Sequence, residues 1–144
     1  MAYRLIFNTV DAILKKKLNI LIRLASVDGA FVPKEKQFIR NICERHGLDR
    51  EAVEEVMANP EPIGSLGAIS YKTNVEYLTE ILFLMLVDGK VLQSEILFCE
   101  DMGLRLGYTK KSIDALINRI KLDLEIDEAK LKRLVLELPH PLKS

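Results

Sequence analysis

Four carboxylates share one spacing in this chain. Asp28 and Glu35 lie in SVDGAFVPKE (26–35), and Asp88 and Glu95 lie in LVDGKVLQSE (86–95). Two chemistries suit such a pattern. Hard divalent cations (calcium, magnesium or manganese) bind through several oxygen ligands, and carboxylates with backbone carbonyls supply them. One Asp and one Glu from each stretch would bring four carboxylates to a shared axis, where a cation or protonation must relieve their repulsion. The second chemistry is structural. An Asp-Gly pair reverses the chain at a helix end, with the Asp side chain bonding amides of the following turn. A Glu near the third position of the next helix reaches back to its N-terminal amide and favours the helix dipole. The stretches are not EF-hand loops, because Val27, Ala30, Val87 and Lys90 supply none of the alternating ligands such a loop needs. Both chemistries stay open on these residues.

The elements that must position the carboxylates read as helices. Asn8 or Thr9 caps a first helix reaching Val27, with Leu14, Leu18, Leu21, Ile22 and Ala25 at helical spacing and Gly29 beyond its end. Pro33 opens a second, which carries Phe38, Ile39, Ile42 and Cys43 on one face and stops at Gly47. Asp49 caps a third, with Leu48 and Val53 as its staple. ANPEPIGSLG (58–67) is the one linker-like stretch. Thr73 and Glu76 form a capping box for a fourth helix that ends at Val87. A fifth runs from Gln93 to Leu106 and stops at Gly107. Thr109 caps a sixth, with Tyr108 and Ile113 as its staple, and a seventh spans Glu128 to Leu138.

Residues 21–50 align without a gap on residues 81–110, with eight identities: Leu24/Leu84, Val27/Val87, Asp28/Asp88, Gly29/Gly89, Glu35/Glu95, Phe38/Phe98, Arg45/Arg105 and Gly47/Gly107. The expectation is an all-α fold of about seven helices, a tandem pseudo-twofold repeat of a three-helix unit. It forms a single domain over 1–144: repeat one about 10–58, linker 59–72, repeat two about 73–123 and a C-terminal helix about 128–138. ILFLMLV (81–87), apolar on nearly every side, is expected to be its central helix.

The Asp-Gly turn after an apolar helix, the Glu entering the next helix and the repetition of both resemble the tellurite-resistance TerB-like family over about residues 10–125. Asp28, Gly29, Pro33 and Glu35 match its pattern in the first copy, and Asp88, Gly89 and Glu95 in the second. Val27 and Val87 replace its usual Ala, while Lys34 and Ser94 replace an acidic residue the family often carries. The resemblance implies a compact helical, cytoplasmic, non-enzymatic protein associated with tellurite and other chemical stress. It also implies a divalent-cation site at Asp28, Glu35, Asp88 and Glu95. Related domains attached to J-domain co-chaperones supply the alternative of a protein-interaction adapter with purely structural acidic turns. Protein partners, a homodimer among them, are expected in either case.

Twenty-one basic and 21 acidic residues cancel, which argues against a dedicated nucleic-acid binder. The longest apolar run has seven residues, against the roughly 20 that span a bilayer, and the N-terminus does not read as a signal peptide. Cys43 and Cys99 read as free buried thiols. Two His and two Cys without ligand spacing argue against a structural zinc site. Lys15, Lys16 and Lys17 read as a solvated helix face, and His140 sits in a Pro-flanked tail with no partner legible in the sequence.

Overall fold

The computed structural model describes residues 12–143 other than 28–31, 49, 60–61, 65, 67–68 and 88; of residues 12, 13, 50 and 52 it describes the backbone alone. These residues form seven helices and no strand: α1 (Ala12–Ser26), α2 (Pro33–Arg45), α3 (Arg50–Ala58), α4 (Tyr71–Leu86), α5 (Gln93–Arg105), α6 (Lys110–Ile120) and α7 (Glu128–Leu136). The chain divides into two compact units, Met1–Gly64 and Ser65–Ser144, with the boundary inside the Pro- and Gly-rich stretch.

In the first unit α1, α2 and α3 all pack against one another. Leu14, Leu18, Leu21, Ile22, Leu24 and Ala25 of α1 are buried, as are Ile39, Ile42 and Cys43 of α2 and Val53 of α3. Of the three consecutive lysines, Lys17 is only 4% exposed. It is therefore not on a solvated face. A hundred degrees of rotation per residue carries position 17 round to the side of Leu14, Leu18 and Leu21. Its charge acts on the Cys43 thiol of α2.

In the second unit α4 packs against α5 and α7, and α5 against α6. The apolar run lies in α4, whose Leu78, Ile81, Leu82, Leu84, Met85 and Leu86 are all buried. This helix begins at Tyr71, ahead of the expected Thr73 cap. Ser70 is the N-cap, and its hydroxyl accepts from the Thr73 backbone N–H at 3.2 Å. Thr73 is thus the third helical residue, and its hydroxyl accepts from Ser70 Oγ at 3.0 Å. Two further signals of the second unit agree with expectation. Thr109 caps α6 by accepting from Ser112 N–H, and Gly107 ends α5 with φ 102°. Asp127 caps α7, which ends at Leu136, short of Leu138.

Candidate functional site

Half of the expected acidic set lies among the described residues. Glu35 and Glu95 are each the third residue of a helix, α2 and α5, and are 3% and 2% exposed. The preceding residues, Val32 and Leu92, have extended backbones suited to an N-cap but no side-chain acceptor. Glu35 Oε1 accepts from Val32 N–H at 3.1 Å, and Glu95 Oε1 accepts from Leu92 N–H at 3.0 Å. The first helical amides turn to the N-cap carbonyls: Glu35 and Lys36 N–H donate to Val32 O, and Glu95 and Ile96 N–H donate to Leu92 O. Each entry is a half-box in which the glutamate closes the loop alone.

Asp28 and Asp88 lie outside the described residues. Glu35 stands in the first unit and Glu95 in the second, each within its own helix entry. Among the described residues no group of three or more His, Cys, Asp and Glu gathers as metal ligands would. The two described glutamates fit a capping role, since each already commits an oxygen to a backbone amide. A second acidic grouping joins α5 to α6, where Lys110 Nζ lies 3.5 Å from Glu100 and 2.8 Å from Asp114. A hydrogen bond between the two acids raises Glu100 and lowers Asp114 from their ordinary ranges. The same positions of the first unit hold the opposite-charge pair Arg40–Glu54 at 2.9 Å.

The cysteines are free and buried. Burial pushes the Cys43 thiol up to about 11, with Lys17 drawing it partly back. Cys99, whose Sγ lies 3.7 Å from Met85 Sδ, is raised further, again chiefly by burial.

One constellation was not legible in the sequence. His140 Nε2 lies 2.7 Å from the carbonyl of Leu106, at the end of α5, and Asn74 Nδ2 donates to the same carbonyl. His140 Nδ1 accepts from Leu142 N–H at 3.0 Å. Tyr71 and Tyr108 flank the imidazole, with ring centroids 5.4 and 4.7 Å from it. These partners stand up to 69 residues away along the chain, from Tyr71 to His140, a separation that no local periodicity encodes.

Comparison of the chain with protein-family models, curated proteins and solved structures finds no match. The functional reading therefore rests on the residues and their geometry.

Proposed function

We propose that the chain is a non-enzymatic helical interaction module of TerB-like type, built from a repeated three-helix unit, whose acidic turns hold helix entries and whose activity is exerted through protein partners. The observation that carries this reading is the position of Glu35 and Glu95, buried and bonded to the N-cap amides of α2 and α5. The helix bounds support the repeat: Pro33–Arg45 and Gln93–Arg105 have the same length and stand sixty residues apart. On α5, Leu97 and Leu104 are 56% and 48% exposed. They lie two helical turns apart, where the first copy has Gln37 and Glu44. Large apolar side chains on one exposed face suit a protein contact. Free thiols suit a reducing compartment, so the cytoplasm goes with this reading. The association with tellurite and chemical stress belongs to it through the resemblance alone.

The test is thermal unfolding of metal-stripped protein with added calcium, magnesium or manganese, beside an Asp28→Asn/Asp88→Asn variant. The expected result is no ion-specific shift in either protein. A cation held at 100 times its Kd would add about 2.7 kcal/mol. Such a gain, lost in the variant, would replace the structural turns with a cation site.

A further inference from the structure

The corner where α5 turns into α6 is built around an imidazole. Leu142 N–H donates to His140 Nδ1, so Nδ1 is an acceptor and Nε2 carries the proton that meets Leu106 O. Both ring nitrogens are thereby engaged. Gly107 completes the seat: its φ is +102°, and a Cβ there would stand 2.7 Å from His140 Nε2. Glycine alone meets the backbone and the space requirement together.

The seat offers more than the tail uses. Tyr71 Oη, Tyr108 Oη and Asn74 Oδ1 are buried and have no hydrogen-bond partner among the described residues. Asn74 and Tyr108 are 2% and 3% exposed. Buried polar groups are nearly always paired, so three unpaired atoms around one ring mark unused recognition capacity. The helical unit does not require this polarity. Sixty residues earlier, Leu14 and Leu48 occupy the positions of Asn74 and Tyr108, and Leu14 is buried. Around the seated ring Pro139, Pro141, Leu142 and Lys143 are exposed, and the bonds of Lys143 run back to Leu136 O and His140 O, within α7 and the tail.

We propose that this corner is a recognition seat for a histidine carried between prolines, and that the chain's own Pro139-His140-Pro141 is its resident, displaceable occupant. The partner it fits is a protein segment of the same chemistry. It presents an imidazole whose Nε2–H meets Leu106 O, with Nδ1 held by an amide of the segment's own turn, as Leu142 N–H holds it here. Further polar groups of that segment meet Asn74 Oδ1 and the two phenols. The tail and the partner compete for one seat, so tail occupancy lowers the partner's apparent affinity. The inference rests on the reading of the chain as an interaction module and names the partner's chemistry.

The experiment titrates the full chain and its His140→Ala variant with a synthetic peptide of residues 138–144, Leu-Pro-His-Pro-Leu-Lys-Ser, and with the same peptide carrying Ala for His. Binding is read by fluorescence anisotropy and by NMR shifts at Tyr71, Asn74 and Tyr108. The expected result is saturable binding of the His peptide to the variant, binding about tenfold weaker or less to the wild type, and no binding of the Ala peptide. Equal affinity for both chains, or binding of the Ala peptide, places the contact elsewhere and overturns the proposal. No binding to a folded variant makes the tail a fixed clip and overturns it as well. Should the variant not fold, the His140 ring signal of the wild type serves instead. It moves to its free position in excess peptide if the seat is exchangeable, and an unmoved signal overturns the proposal. Failure of the seat leaves the interaction-module reading intact, whereas that reading falls on ion-specific stabilisation.

Discussion

At the scale of single residues, the two buried glutamates and the phenol of Tyr108 make opposite predictions. Glu95 accepts from the Leu92 amide, for which it is the acceptor among the described residues. Glu95→Ala orphans that amide and is expected to cost about 1 kcal/mol, whereas Glu95→Gln keeps an acceptor oxygen and costs less. Chemical denaturation with an unchanged m-value checks both. Two equally costly substitutions would show that the charge, and not the hydrogen bond, carries the effect. Tyr108 is buried, and its hydroxyl has no partner among the described residues. Deleting an unpaired buried polar atom removes a desolvation penalty, so Tyr108→Phe is expected to leave the thermal midpoint unchanged or raise it. A loss of about 1 kcal/mol or more would mean that an internal water satisfies the hydroxyl, and the spare capacity of the His140 seat would shrink accordingly.

At the scale of elements, α5 and α6 approach so closely that a Cβ on Gly103 would lie 2.6 Å from Ile113 Cγ1 and 2.7 Å from its Cδ1. Gly103 stands within the last turn of α5, where glycine is less favourable than alanine, and Ile113 is fully buried. The aligned positions of the first unit hold Cys43 and Val53, a larger residue facing a smaller one. Gly103→Ala alone is therefore expected to cost about 1–3 kcal/mol by overpacking, and Ile113→Val alone about 0.5–1.5 kcal/mol. Combined, they should cost less than their sum, because the valine yields the space that the alanine needs. Strict additivity in a double-mutant cycle would show that the helices separate freely. This exchange of volume was invisible in either residue alone, although helix placement was largely legible. Pro33, Thr109 and Gly107 act where their chemistry predicts, because caps are local. The start of α4 was misplaced because Ser70 and Thr73 are both good caps three residues apart, and only the structure shows Ser70 accepting the amide. The burial of Lys17 follows from the helical spacing that sets it beside Leu14, Leu18 and Leu21, whereas the seat of His140 depends on elements distant in sequence, and no spacing rule announces it.

At the scale of the molecule, each unit carries one buried thiol, and both thiols lean the same way with pH. Cys43 rises from 9.0 to about 11, and Cys99 is also raised, in each case mainly because burial penalises the thiolate. Tyr108 is raised too, by burial and then by its neighbour Tyr71. A thiol whose pKa is higher folded than unfolded binds more proton in the folded state once the unfolded one begins to ionise. The unfolded chain then holds fewer protons, so stability falls with rising pH. The contribution is complete below pH 9, the ordinary thiol value, and for Cys43 it is lost as pH climbs through about 11. Thermal midpoints measured under reducing conditions from pH 7 to 10.5 are expected to hold level up to about pH 8 and to decline above 9. Lysines also lose their charge in that range, so the decisive comparison is Cys43→Ala. The substitution lowers the midpoint at pH 7 by opening a small cavity but flattens the alkaline decline. An unflattened slope would assign the decline to the remaining groups, Cys99, Tyr108 and the lysines. The same burial keeps both thiols unreactive, so a thiol-specific reagent at pH 8 should label the protein only as fast as it unfolds.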